Sequence, residues 1–184
     1  MNKISLIKFD NSFYKPGSKV KILLWYLVNM FFFKSSFIFP SKFKTRILRI
    51  FGASVGKNVL IKPNVNIKYP WFLEIGDNVW IGEQVWIDNL AMVSISDNVC
   101  ISQGAMLLCG NHNYKKETFD LIIGEILLEE GVWIGAKAVV CPGVKCFSHS
   151  ILTVGSVATT NLNPYSIYQG NPALKIRERK ISSC

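Results

Sequence analysis

The sequence predicts an all-β solenoid, a parallel β-helix, and three observations lead to that fold. A large aliphatic residue recurs every six positions along most of the chain from Val55 onward. Triplets of these hexapeptides begin twenty residues apart in the first half of the repeat and eighteen apart in the second. A period of six matches neither the 3.6 nor the 3.5 residues per turn of helical patterns. Three short strands per coil would therefore form a triangular prism, with backbone hydrogen bonds running between coils.

The repeat also predicts which side chains fill the prism. Four residues after each lead position comes a second inward candidate, which is small or β-branched everywhere except at Trp71 and includes Ala91. Paired apolar residues such as Leu73 and Ile75 mark a two-residue bulge at one corner of the longer coils. Twelve of the thirteen lead positions are Val, Ile or Leu, as expected for an interior surface. These positions are Val55, Ile61, Ile67, Ile75, Ile81, Ile87, Ile95, Ile101, Leu128, Ile134, Val140, Cys146 and Leu152.

One interval interrupts the repeat between Leu107 and Ile126. Its sequence, LCGNHNYKKETFDLIIGE, is about a dozen residues longer than another coil requires. An insertion on a regular solenoid is a common place for function, so we expect a functional loop at about 109–125. The predicted organisation is a basic segment with two helices (1–54), the β-helix (55–163) and a tail (164–184).

Composition and charge exclude several classes of protein. The chain has 184 residues, 49% of them hydrophobic and 18% charged, which excludes a disordered or low-complexity chain. Residues 1–60 carry eleven bases and one acid, a balance of +10, whereas residues 61–184 carry ten bases and eleven acids, a balance of −1. Because the basic residues are confined to one end, a nucleic-acid-binding domain is not predicted.

The N-terminal segment predicts two helices, at 18–33 and 42–51, separated by Pro40. The first is apolar on nearly every side, so it either packs on a neighbouring subunit or lies in a membrane interface, and both alternatives stay open. Its apolar tract at 22–33 is too short to span a bilayer, and no signal-peptide cleavage site follows it. We expect a cytoplasmic protein, with peripheral contact at the inner face of the cytoplasmic membrane through residues 18–51 as one alternative.

Four segments resemble the left-handed β-helix (hexapeptide-repeat) acyltransferases, and the resemblance covers roughly residues 40–180. They are VWIDNLAMVSISDNVCISQGA, the loop GNHNY with FDL, EEGVWIGAKAVVCPGV, and NPYSIYQGNPALKIR. Within that family the chain is most similar to colanic-acid-type O-acetyltransferases, with maltose, galactoside and serine acetyltransferases as more distant relatives. The resemblance implies left-handed coils, a homotrimer, and acetyl-CoA as the acyl donor. It also implies transfer to a sugar hydroxyl of a bacterial surface polysaccharide or its lipid-linked precursor.

The same resemblance assigns catalytic residues. His112, in the inserted loop, matches the family's general base, which removes a proton from the attacking hydroxyl. Asn89 should lie one coil below the loop and orient the acceptor or the histidine. Asp88 is the competing orienter, and the alternative for both is a plain turn residue. A covalent route through Cys109 is disfavoured, because relatives do not use one.

The acetyl-CoA groove should follow the later coils. Trp133 matches a tryptophan that packs against the pantetheine arm, and the backbone N–H of Ala136 lies where relatives stabilise the thioester oxyanion. Thr159 and Thr160 match positions at the adenine and pantetheine end, although the lysine that often follows in relatives is missing. Arg177 in the tail is the expected partner of the nucleotide phosphates.

No metal site and no disulfide framework are predicted. The chain has two histidines, His112 and His149, whereas a hydratase similar to the gamma-class carbonic anhydrases needs three per zinc. His149 is expected to be a surface residue. The cysteines form no CxxC pair and read as reduced thiols. They are Cys100, Cys109, Cys141, Cys146 and Cys184.

Three other functions stay open at this point. Nothing in the loop distinguishes a hydroxyl from an amine acceptor, so N-acetylation of an amino sugar is one alternative. Transfer of a longer acyl chain is another, since pocket depth cannot be read from the sequence. The third is a non-catalytic β-helix scaffold at the membrane.

Overall fold

The computed structural model describes residues 3–182, so the prediction for Cys184 lies outside the described part of the chain. Five complete three-strand coils form the body, and a sixth begins at β18. In chain order the strands are β1 Ser54–Val55, β2 Leu60–Ile61, β3 Asn66–Ile67, β4 Leu73–Ile75, β5 Trp80–Ile81, β6 Trp86–Asp88, β7 Val93–Ile95, β8 Cys100–Ile101, β9 Met106–Leu108, β10 Gly110–His112, β11 Leu121–Ile123, β12 Ile126–Leu128, β13 Trp133–Ile134, β14 Val139–Val140, β15 Lys145–Cys146, β16 Ile151–Leu152, β17 Val157–Ala158, β18 Ser166–Gly170 and β19 Ala173–Glu178.

Parallel pairing between coils gives the prism three flat faces. Face A is the sheet β1-β4-β7-β12-β15, and face C is the sheet β3-β6-β9-β14-β17. Face B is β2-β5-β8-β13-β16-β18, extended by the antiparallel strand β19. The register confirms the sequence periodicity, because Ile61 pairs with Ile81, and Ile81 pairs with Ile101, one coil further on.

The interior is filled by the predicted lead positions. All of them except Val55 are buried, and most of the second inward positions are buried as well. Identical or similar aliphatic side chains therefore stack along the axis, and each coil covers the apolar surface of the next. The buried side chains form one continuous hydrophobic core along the length of the solenoid.

Two of the predicted inward residues, Trp71 and Ala91, are only half buried, so that part of the prediction is wrong. The reason is local geometry at the corner after face C. Residues Pro70–Phe72 form a short 3-10 turn there, which takes Trp71 out of the strand register. Its ring instead stacks on Tyr69, with the centroids 5.2 Å apart.

Two helices precede the coils, as predicted. Helix α1 spans Lys19–Val28 and continues as a π-helical turn at Asn29–Phe33, and α2 spans Ser41–Ile50. The indole Nε1 of Trp25 donates to the backbone oxygen of Ile67 at 2.8 Å, which fixes α1 on the first coil. Within residues 3–182 no helix has the length and apolarity needed to cross a bilayer.

Candidate active site

The insertion between β9 and β12 is an antiparallel hairpin formed by β10 and β11, and it carries His112. His112 faces Leu121 across the hairpin, and Gly110 faces Ile123. The hairpin leaves the solenoid at the edge where face C turns into face A. We call this the C–A edge; the predicted functional loop thus has regular structure of its own.

Glycines stand at both roots of the hairpin because the chain passes very close to the coils there. A Cβ on Gly124 would lie 2.5 Å from the backbone nitrogen of Gly143. A Cβ on Gly110 would meet only a side-chain carbon, Cδ1 of Leu90, at 2.5 Å. The backbone contact at Gly124 cannot move aside easily, so this root fixes where the hairpin leaves the coil.

The imidazole of His112 is oriented by a single hairpin residue, Phe119. Its Nδ1 lies 2.9 Å from the backbone oxygen of Phe119, and the two rings stack in parallel with centroids 4.4 Å apart. A carbonyl can only accept a hydrogen bond, so Nδ1 carries the proton and Nε2 is the basic nitrogen. Phe119 has a positive φ of 51°, an uncommon conformation for this residue type. Sequence reasoning missed the role of this residue: Phe119 lies in the FDL segment of the family resemblance, but nothing in that segment identifies it as the partner of His112.

His112 opens onto a cleft of about 470 Å³ at the C–A edge. One wall comes from the coils and the hairpin, including Tyr69, Asp88 and Asn111. The other wall comes from the N-terminal residues before α1, which we call the strap (residues 3–18). The strap contributes Phe9, Asn11, Tyr14 and Pro16.

The strap is tied to both the hairpin and the coils. Lys8 Nζ pairs with a Glu117 carboxylate oxygen at 2.7 Å on the hairpin. The Tyr14 hydroxyl donates to the Leu90 carbonyl at 2.6 Å, and burial raises the pKa of this phenol well above its usual value. Phe9 lies with its ring centroid 5.8 Å from that of His112. These contacts link positions about 76 to 109 residues apart, so no local sequence signal predicts them.

Asp88 presents a carboxylate to the same cleft. The ammonium of Lys68 lies 3.0 Å from Asp88 Oδ1 and forms a salt bridge with it. The contact with Lys68 is therefore an electrostatic one. The Asp88 side chain keeps 14% of its surface accessible and lines the cleft, so its carboxylate is placed to accept a hydrogen bond from a ligand hydroxyl.

Asn89, predicted to contact the acceptor or the histidine, is fully buried and points into the corner beneath Tyr69. Its Oδ1 accepts from the N–H groups of Lys68 and Tyr69, and its Nδ2 donates to the carbonyls of Tyr69 and Phe72. These four bonds use the whole hydrogen-bonding capacity of the amide. Asn89 thus holds the backbone of the cleft wall and leaves no group for a ligand.

The predicted donor residues lie mainly on another edge, where face B turns into face C. Trp133 and Ala136 line a cleft of about 370 Å³ at this B–C edge. Trp133 also lines a neighbouring cleft of about 660 Å³ together with Arg177 and Lys180. Thr159 and Thr160 follow β17 and lie exposed on the C–A edge, two coils beyond the hairpin. The structure thus joins Trp133, Ala136 and Arg177, but separates them from His112.

Cys109 and His149, the other residues considered from the sequence, lie among packed side chains. Cys109 is buried, and burial raises the pKa of its thiol to about 11, which keeps it protonated near neutral pH. His149 occupies a corner turn with a positive φ of 58°, and its ring packs against Tyr165. No group of three or more His, Cys, Asp or Glu side chains suited to a metal occurs in the described residues.

Known proteins of similar sequence are acetyltransferases by name. The chain is 33% identical over 166 residues to the putative colanic acid biosynthesis acetyltransferase WcaF of Escherichia coli K12, covering 90% of this chain and 91% of that protein. It is 29% identical over 144 residues to the galactoside O-acetyltransferase of the same organism, covering 76% and 71%. No protein-family model matches the chain.

Solved structures share the fold of this chain. A hexapeptide-repeat-containing acetyltransferase from Vibrio cholerae superposes with a TM-score of 0.79 at 20% identity, covering 89% of this chain and 93% of that one. A galactoside acetyltransferase in complex with coenzyme A gives a TM-score of 0.78 at 25% identity, covering 88% and 82%. These neighbours are left-handed β-helices, so the predicted left-handed parallel β-helix with a helical N-terminal part is confirmed.

Proposed function

Since the chain belongs to the hexapeptide-repeat acetyltransferase family, we propose that it transfers the acetyl group of acetyl-CoA to a sugar hydroxyl bound beside His112. The galactoside acetyltransferase complex holds coenzyme A, and two relatives are named a colanic acid biosynthesis acetyltransferase and a galactoside O-acetyltransferase, which supports this donor and acceptor. The acceptor is a hydroxyl of a surface polysaccharide or of its lipid-linked precursor. The observation that carries the proposal is the oriented imidazole at the mouth of the cleft.

His112 acts as the general base. Its protonated Nδ1 is held by the Phe119 carbonyl, so Nε2 is available to take the proton of the acceptor hydroxyl. The hydroxyl oxygen then attacks the thioester carbonyl carbon, and the tetrahedral intermediate collapses with loss of the coenzyme A thiolate. The proton held on Nε2 passes to that thiolate, which restores the neutral imidazole.

The oxyanion of the intermediate is assigned to the backbone N–H of Ala136. Ala136 lies in the turn after β13, at the rim of the donor cleft. Among residues 3–182 its N–H donates to no backbone carbonyl, whereas the neighbouring Gly135 and Lys137 N–H groups do. A preorganised amide at this place stabilises negative charge as it develops on the oxygen.

The two halves of the site meet between copies of the chain. His112 is on the C–A edge and Ala136 on the B–C edge, and these edges bound face C. One hexapeptide spans a face, a width of up to about 20 Å, which is too far for a single acetyl transfer. In a homotrimer the C–A edge of one copy lies against the B–C edge of the next. Thr159 and Thr160 of the first copy then face the donor cleft of the second, which is lined by Trp133 and Ala136.

The cleft beside His112 suits a sugar. The Asp88 carboxylate accepts a hydrogen bond from one hydroxyl, the exposed Asn111 amide contacts another, and Tyr69 offers an aromatic ring to the apolar face of the pyranose. Asn89 is a positioning residue in this proposal, because it acts only through the backbone of Lys68 and Tyr69.

The test is the turnover of a His112→Ala variant. Turnover is measured as release of the coenzyme A thiol in the presence of each member of a panel of saccharides. Loss of the base should lower kcat by about 10² to 10⁴. His149→Ala is the matched control and should leave turnover unchanged, since His149 lies in a corner turn remote from the cleft. If the His112 variant turns over nearly as fast as the parent, the assignment of the base is wrong. Lability of the product to mild alkali distinguishes an O-acetyl ester from an N-acetyl amide.

A further inference from the structure

The outer face of α1 is apolar and exposed, although the helix is firmly attached through its other side. We call Val20, Leu23, Leu24, Leu27 and Phe31 the outer face, and each of them is exposed to solvent. Their spacing of three and four residues places the first four on one side of the helix. A single exposed leucine is ordinary, but a contiguous set of exposed apolar side chains on one side of a helix marks an interaction surface.

The inner side of the same helix shows that this orientation is fixed. Trp25 and Phe33 are buried with ring centroids 5.3 Å apart, and Trp25 also packs against Phe51 of the turn that follows α2. Asn29 donates to the Asn66 side chain at 2.8 Å. A rotation that buried the outer face would break all of these contacts. The packing of the inner side therefore keeps the apolar side of α1 facing outward.

The exposed apolar surface continues beyond the helix. The loop between α1 and α2 places Phe37 and Ile38 at its surface, and Ile38 is 80% exposed. Phe39 packs on both Phe32 and Phe43, with ring centroids 5.1 and 5.9 Å apart, which joins this loop to the two helices. The surface is therefore a patch rather than a set of isolated side chains.

The charge around the patch selects its partner. Lys19 and Lys34 bracket the outer face, and Lys42 and Arg46 are exposed on α2. Residues 3–60 contain eleven bases against the single acid Asp10. Contact with the same patch of a second copy would bring positive charge against positive charge, and the coils of a second copy, with a balance of −1 over residues 61–184, offer little opposite charge. An anionic lipid surface provides both an apolar phase and opposite charge.

We propose that the outer face of α1, with the Phe37–Ile38 loop, docks on an anionic membrane surface. From Lys19 to Phe33 the helical segment measures roughly 22 Å at 1.5 Å per residue, and it lies in the plane of the interface instead of crossing it. The apolar side chains enter the headgroup region, and the lysines contact lipid phosphates.

Docking would place the catalytic cleft next to the lipid. A second cleft, of about 290 Å³, lies between α1 and the first coils and is lined by Ile22, Tyr26 and Lys34. Lys68, Tyr69 and Asp88 line both this cleft and the one that holds His112. This consequence rests on the proposed function, whereas docking itself does not.

Vesicle sedimentation of the full chain tests the docking. The protein should pellet with vesicles of phosphatidylcholine and phosphatidylglycerol at low salt, and much less with phosphatidylcholine alone or at high salt. The double variant L23D/L27D should bind at least about tenfold more weakly, because two leucines lose their apolar burial. L174D/I176D is the matched control, since Leu174 and Ile176 are both exposed on β19 and the variant gains the same two charges; its binding should equal that of the parent.

A second measurement needs no variant. Hydrogen–deuterium exchange of the parent protein should slow over about residues 19–39 when anionic vesicles are added, and stay unchanged over the last coil at 145–158. Absence of pelleting at low salt overturns the proposal. A double variant that binds vesicles like the parent also overturns it. So does an L23D/L27D variant that no longer forms the parent's oligomer, if vesicles leave the hydrogen–deuterium exchange of the parent unchanged. In that last case a second copy covers the face.

Discussion

The coils and the hairpin differ in what holds each of their residues in place. Within the coils, a residue such as Ile101 is fixed by an equivalent residue one coil below and another one coil above. His112 in the hairpin has no such equivalents, and its orientation depends on Phe119, Phe9 and two glycine roots. Repetition stabilises the coils, whereas the proposed base lies in the insertion and is held by contacts that do not recur from coil to coil.

The largest difference between substitutions in the coils and in the hairpin should be in the free energy of unfolding. Replacing Ile101 with Ala leaves a cavity in the buried stack and should lower the free energy of unfolding by about 2–5 kcal/mol. His112→Ala should change it by less than about 0.5 kcal/mol, because the ring is partly exposed on a projecting hairpin. Denaturant titration of both variants measures the contrast. An equal loss in both would mean that the hairpin is part of the cooperative core.

The difference explains what the sequence could and could not predict. The coils were predictable because a six-residue period specifies register, inward side chains and stacking together. The helices and the place of the insertion also followed from local pattern. Trp71 was assigned wrongly because the 3-10 turn at Pro70 shifts the register by a local feature that the period does not contain.

The site was only partly predictable for a related reason. His112 stood out by its place in the insertion and by family resemblance. The roles of Phe119, Phe9 and Tyr14 did not, because they arise from pairings between segments that do not repeat. For Asn89, the sequence suggested ligand contact because the residue lies near the site. In the structure its amide makes all its hydrogen bonds to the backbone at 68–72.

The next largest effect should come from the glycine roots. Gly124→Ala places a Cβ against the backbone at Gly143, so the hairpin must shift, and turnover should fall by about 10- to 100-fold. Gly110→Ala meets only the end of the Leu90 side chain, which can rotate, so a loss of a few-fold is expected. Steady-state kinetics of the pair compares them. A larger loss for Gly110→Ala would show that the position of the hairpin is not set at Gly124.

A smaller effect is expected from the strap. Phe9→Ala removes an aromatic wall from the cleft and should raise the acceptor KM by about 2- to 10-fold, with the acetyl-CoA KM unchanged. Phe13→Ala is the control, because Phe13 is exposed and does not line the cleft. A rise in the acetyl-CoA KM alone would place the strap on the donor side and contradict the cleft assignment.

Mixing of inactive variants tests most directly whether the hairpin of one copy works with the coil edge of another. One variant is His112→Ala and the other is Ala136→Trp, which fills the donor cleft; each alone should be nearly inactive. When oligomers assemble from an equal mixture, each mixed trimer regains one intact site, so about a quarter of the parent activity should return. Mixed oligomers that form but regain no activity would contradict the account, because both halves of the site would then belong to a single chain.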